Sequence, residues 1–112
     1  MLNLPPAGRF PLLLLGFIAL FAGVGAGLAR LGWTMPDIAA SNAAHHGPLM
    51  ACGFFGVVIT LERAVAIGRL WAYLGPMLAG LGTASVLHGR ADLGTGLYLG
   101  ASLVLLLASL DI

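Results

Sequence analysis

Charge is what this chain has least of: 8% of its 112 residues are Asp, Glu, Lys or Arg, against roughly a quarter in ordinary soluble domains. Lysine is missing altogether, so the five basic residues are all arginine, and they are scattered. Without a basic cluster, the formal net charge of +1 points to no nucleic acid partner. Cysteine occurs once, as Cys52 inside an apolar run, where it says nothing about redox compartment and is expected to act as a small buried apolar residue. A Ser-His-Asp set, a phosphate-binding loop, an HExxH helix and an acidic metal cage are all absent, so no hydrolytic, nucleotide or zinc-protease chemistry can be read from the chain.

What remains is apolar. Hydrophobic residues make up 60% of the sequence and fall into four stretches, 10–28, 43–61, 70–87 and 93–110, each of about 18 or 19 residues. A helix needs roughly 20 such residues to cross the hydrocarbon core. The expected fold is therefore all-α: a four-helix transmembrane bundle forming one integral domain over residues 1–112, with the lipid bilayer as its first partner. The opening stretch after Arg9 also has the look of a signal peptide, but it exceeds the roughly 7–15 residues of a typical apolar signal region. With the N-terminus in the cytoplasm, Arg9, Arg63 and Arg69 lie inside, and Arg30 and Arg90 outside. That excess agrees with the positive-inside tendency and suits a bacterial inner membrane.

Punctuation along the chain supports this layout. Pro5, Pro6 and Gly8 read as a short unstructured lead, with Pro11 in the first helical turn. Gly23 and Gly27 make a small-xxx-small pair suited to close packing against a neighbouring helix. Residues 31–42 form the main outer loop, where Trp33 suits interface depth and Ser41 or Asn42 can cap the second helix. A tight hairpin at Gly68-Arg69 is flanked by Trp71 and Tyr73 as an aromatic belt, and Pro76 is expected to bend the third helix. The last stretch is still deeply apolar at Leu110, with only Asp111 and Ile112 after it, so the chain is expected to be the N-terminal part of a longer protein.

Chemistry gathers at the histidines. His45 and His46 begin the second stretch, and His88 ends the third, so all three belong to one side of the membrane. A neutral imidazole suits iron, copper or zinc, which makes His45, His46 and His88 the candidate metal ligands. At about 100° per residue, Met50, Gly53, Val57 and Thr60 fall within about 40° of His46, while Cys52, Gly56 and Arg63 fall within about 20° of His45. Glycines beside a ligand leave a flat wall of the kind a porphyrin requires. The same histidines also suit plain interface anchors, a pH sensor or a proton relay. There is no CxxCH, hence no covalent haem attachment.

The run His46-Gly47-Pro48-Leu49-Met50, followed by Gly53-Phe54-Phe55-Gly56, resembles the second helix of the haem-copper oxidase catalytic subunit. There a histidine at the outer end of the helix is followed four residues on by methionine and then by Phe-rich sequence. It is also similar to the NnrS-type membrane proteins linked to nitric oxide stress. The resemblance implies a respiratory or nitric-oxide-related setting, with His46 as axial ligand, His88 and Met50 as further cofactor-binding residues, and haem b or copper as the cofactor. The oxidase partner histidines lie on later helices without counterparts in this chain, so a second ligand is expected from His88, a second copy or further sequence. Homo-oligomers or other membrane subunits are the expected protein partners.

Glu62 and Arg63 are the other unusual pair in an apolar setting. They diverge by about 100° on a helix and so cannot pair well with each other. Glu62 lies about 24 Å along the axis from His46, near the cytoplasmic interface, where Arg63 can snorkel. An anchoring role is one reading. A small proton-coupled transporter or channel that uses Glu62 is a second, and a structural assembly subunit of a membrane complex is a third. The orientation is directly testable: single cysteines in the 34–40 loop should react with an impermeant reagent added outside the cytoplasm. Labelling only from the cytoplasmic side would reverse the topology.

Overall fold

In the computed structural model, which describes residues 4–110, every regular element is helical. Four helices are long and apolar enough to cross a membrane: Pro6–Arg30, Ala43–Ile67, Leu70–Leu87 and Ala91–Leu110, here the first to fourth spans. The all-α, four-helix architecture follows as expected. The second and third spans form the inner diagonal of the bundle, and the first and fourth pack against both. A short helix, Asp37–Ala40, folds the connection between the first two spans back onto the first span, where Ala39 sits against Gly25. Residues 111 and 112, on which the expectation of a longer protein turns, lie outside the described residues.

Three spans run further than their apolar stretches, the fourth only by Ala91 and Asp92. Pro6 occupies the first helical position, where no backbone donor is needed, so the supposed lead from Pro6 onward is helical and Pro11 lies inside the helix. The second span continues past Leu61 through Glu62 and Arg63 to Ile67. It ends at Gly68, whose φ of 73° is the left-handed conformation that glycine adopts without strain, and whose N–H bonds the Ala64 carbonyl at 2.9 Å. The hairpin then re-enters through a 3₁₀ turn, Leu70–Tyr73, and Pro76 falls in the first turn of the α-helix Leu74–Leu87, where its missing donor matters little. Tyr73 is buried with Leu12, Leu61 and Ala72 at this end of the bundle, so Trp71 alone stands in the interfacial position expected of both.

The second span is irregular, unlike the uniform helix assumed from sequence. It opens with a 3₁₀ turn at Ala43–His45, passes through His46–Pro48, and widens into a π-helix at Leu49–Phe54 before becoming α-helical at Phe55–Ile67. Pro48 has no N–H for the carbonyl four residues back, and its ring crowds that carbonyl, which disfavours a regular start. A π turn holds an extra residue, so facings counted at about 100° per residue slip across it. Cys52 is exposed, not buried as expected. Asn42 does not cap the helix; its amide donates to the Ile38 carbonyl at 2.8 Å instead.

Small residues let the spans approach closely. A methyl group at Gly16 would sit 3.0 Å from Val57 Cγ1, and one at Gly23 would sit 2.6 Å from Met50 Sδ. The Gly23–Gly27 pair is thus consumed in packing the first span on the second. Gly53, in the π segment, faces Ala19 of the first span, Thr83 of the third and the Tyr98 hydroxyl of the fourth. Beside it the Thr83 and Tyr98 hydroxyls bond each other at 2.9 Å. Thr60, Ser85, Thr95 and Ser102 each bond a carbonyl of their own helix, so a hydroxyl costs little in an apolar setting. Among the described residues, no buried side-chain nitrogen or oxygen lacks a partner.

Gly53→Ala should therefore destabilise the bundle, because the added carbon would meet Thr83 Oγ1 at 2.6 Å and Ala19 Cβ at 2.8 Å. Overpacking of this kind costs about 1–3 kcal/mol. Gly47→Ala and Gly96→Ala, where nothing lies within 4 Å, should leave the detergent-solubilised melting temperature unchanged or slightly raised. Equal melting temperatures for all three variants would refute the four-span contact at Gly53.

Candidate functional site

The start of the second span carries His46 into the interface with the first. Its Nδ1 lies 2.7 Å from the Gly23 carbonyl, and its ring edge rests on the backbone at Gly27, where a methyl group would come within 2.8 Å of Cε1 and Nδ1. A carbonyl oxygen can only accept, so Nδ1 carries a proton, and in the neutral ring the lone pair is on Nε2. His45 is held in the same way: Asn42 Nδ2 donates to Ile38, which identifies Oδ1 as the acceptor of the His45 Nδ1–H at 3.0 Å. His88 Nδ1 donates to the Ala84 carbonyl of its own helix at 2.7 Å. All three histidines are thus fixed in one tautomer with Nε2 left to bind, the arrangement that orients metal-ligating imidazoles.

They do not share a site. His46 lines an open groove of about 370 Å³ with Val24, Gly27, Leu28, Arg30 and Leu31. Half-buried His45 is turned to Asn42, and exposed His88 lines a separate groove of about 450 Å³ with Ser85, Arg90, Leu93 and Leu97. Among the described residues no group of three or more His, Cys, Asp or Glu side chains is arranged to hold a metal ion. A bare copper or zinc ion needs several such ligands, whereas a haem can be held by one axial imidazole within an apolar slot. The donor set on the first groove fits the second case.

The other sequence candidates take different places. Met50, half-buried, packs its thioether against Gly23 and so joins the first two spans instead of lining the His46 groove. The supposed flat wall below His46 is already covered: Gly53 by Ala19, Thr83 and Tyr98, Val57 by Gly16, and Thr60 by Gly75. The open surface beside His46 lies instead on the first span, at Val24, Gly27 and Leu28. Sequence reasoning missed these lining residues and Arg30, although the Gly23–Gly27 spacing marks the face that admits the imidazole. Glu62 is exposed and Arg63 half-buried at the other end of the second span. A third crevice, about 150 Å³, lies between the second and fourth spans and is bordered by Cys52, Thr60, Tyr98 and Ser102.

A family model described as a domain of unknown function (DUF8744) matches residues 9–112. No curated protein and no solved structure matches the chain.

The tautomers give a measurable signature. Solid-state NMR of protein labelled with ¹⁵N-histidine in lipid, at a pH where the imidazoles are neutral, should show the proton of each on Nδ1. Gly27→Ala should shift the His46 signals alone, since the new methyl group would push the ring from the Gly23 carbonyl. A His46 resonance protonated at Nε2 in the parent protein would contradict the arrangement.

Proposed function

We propose that this chain, which belongs to the DUF8744 family, is a membrane protein that binds a haem of the b type through His46 at the non-cytoplasmic face. The observation that carries the reading is the Nδ1–H bond from His46 to the Gly23 carbonyl, which leaves Nε2 as a lone-pair donor on an apolar groove. Backbone acceptors of this kind hold an axial imidazole in orientation and raise its basicity. Arg30 on the same groove supplies a cation at the depth where a charged edge of a bound amphiphile would emerge. The likeness of the His46-to-Gly56 run to the haem-copper oxidase and NnrS-type second helix points the same way, toward a respiratory or nitric-oxide-related role. The Arg distribution favours a cytoplasmic N-terminus, in keeping with a bacterial inner membrane.

His46 is the proposed axial ligand, and Gly23 and Gly27 position it. A bound haem would supply redox or diatomic-ligand chemistry, while the chain's own part is to present one neutral nitrogen and to keep water from it with Val24, Leu28 and Leu31. The transporter reading finds less support: Glu62 is exposed on the bundle and borders none of the three cavities described above.

The test is the visible spectrum and iron content of purified protein, loaded with haem b where necessary. The parent protein should show a Soret band that His46→Ala abolishes. His45→Ala should leave it intact, and His88→Ala should too, because His88 lies on another groove. A spectrum and iron content unchanged in His46→Ala would reduce His46 to an interface anchor and end the haem reading.

A further inference from the structure

A second groove lies between the third and fourth spans, outside the His46 site. Leu81, Ala84, Ser85 and His88 recur at helical spacing on one face of the third span, and Leu93 and Leu97, with Arg90 just before them, do the same on the fourth. Beside these two stripes the helices touch, since a methyl group at Gly94 would sit 2.9 Å from the Gly82 carbonyl. The stripes therefore flank a cleft, of about 450 Å³.

The cleft is polar at one end only. His88 and Arg90 stand at its mouth, on either side of the turn at Gly89, while Leu81 and Leu97 each lie seven residues further in, about 10 Å along their helices. Arg90 is exposed, and among the described residues its guanidinium has no acidic partner; Asp92, two positions on, does not border the cleft. His88 gives its Nδ1 proton to the Ala84 carbonyl, and Ser85 gives its hydroxyl proton to the Leu81 carbonyl at 2.9 Å. The neutral imidazole and the hydroxyl can then only accept from a ligand. One cation, two acceptors and a run of leucines below them ask for an anion that carries its own donors and a hydrocarbon tail.

We propose that this cleft binds one anionic phospholipid whose headgroup carries free hydroxyls, of the phosphatidylglycerol type. Its phosphodiester meets the Arg90 guanidinium, whose paired N–H groups match two phosphate oxygens. Its headgroup hydroxyls donate to His88 Nε2 and Ser85 Oγ, and one acyl chain runs inward along Leu93, Leu97 and Leu81. Basic pockets between membrane helices recognise lipid headgroups in this manner. A choline headgroup brings a second cation beside Arg90 and has no donor for His88, and an ethanolamine headgroup has donors but brings the same unwanted charge.

Lipid retention by the full chain in native mass spectrometry tests this, after titration in detergent with phosphatidylglycerol, phosphatidylmethanol or phosphatidylcholine of the same acyl chains. Phosphatidylmethanol is anionic but has no hydroxyl. Phosphatidylglycerol should be retained as one lipid per chain, about tenfold more tightly than phosphatidylcholine, as one charge-assisted hydrogen bond allows, with phosphatidylmethanol between them. Arg90→Gln should bring phosphatidylglycerol close to the choline lipid, and His88→Ala should lower it to the level of phosphatidylmethanol. Both side chains are exposed, so neither change threatens the fold. In nanodiscs, phosphatidylglycerol should shift the ¹⁵N signals of His88 and leave those of His45 and His46 in place. Equal retention of the three lipids, retention of phosphatidylmethanol as tight as that of phosphatidylglycerol, or an unchanged preference in Arg90→Gln would overturn the proposal. So would displacement of the lipid by chainless glycerophosphoglycerol, which would make the site one for a free phosphodiester.

Discussion

Every span of the bundle comes within a methyl group of Gly53. Ala19, Thr83 and the Tyr98 hydroxyl converge on this one position, and only a residue without a side chain leaves room for them. In a bilayer the apolar surfaces of helices gain little by leaving lipid, so cohesion rests on close contact and on hydroxyls that find partners. The Thr83–Tyr98 bond ties the third and fourth spans at the depth where the first and second meet Gly53. The rest follows: the first span can lie close enough for the Gly23 carbonyl to receive the His46 ring.

This closeness explains why the candidate site is shallow. Below His46 the second span is packed by small residues and interlocked side chains, and the crevice described beside it holds about 150 Å³. The open grooves described above lie at the edges, one of them beside His46 at the junction of the first and second spans. A ligand there is walled by one protein face and by whatever lies against the first span, so occupancy of the groove and the identity of the neighbour are coupled.

Much of the fold was legible. The four apolar runs are helices long and apolar enough to cross a membrane, Gly68 ends the second of them, and the Gly23–Gly27 pair packs the first against the second. For the candidate groove the sequence singled out a residue but not its facing. His46 stood out from its neighbours, yet the wall beside it was sought on its own helix, because a regular rotation was carried through Leu49–Phe54. A π turn leaves no composition signature beyond a nearby proline and glycine, so its offset could not be counted in. Tyr73, Cys52 and Asn42 were misplaced for related reasons: an aromatic at a helix end suits belt or core equally, and an asparagine before a helix can serve a preceding turn as readily as the next.

The π segment also has a bearing on how this helix tolerates change. With one residue more than an α-helix needs, Leu49–Phe54 lets the portion above it and the portion below it hold independent azimuths. His46 is aimed at the first span while Thr60 is aimed at the third, and a straight helix would force one to follow the other. Losing a single residue there would tidy the ladder and yet swing the imidazole by about 100° away from its carbonyl. The surplus residue is thus a phase adjuster between two halves of one rod, and a one-residue deletion within it would be felt more sharply than most substitutions of the residues it contains.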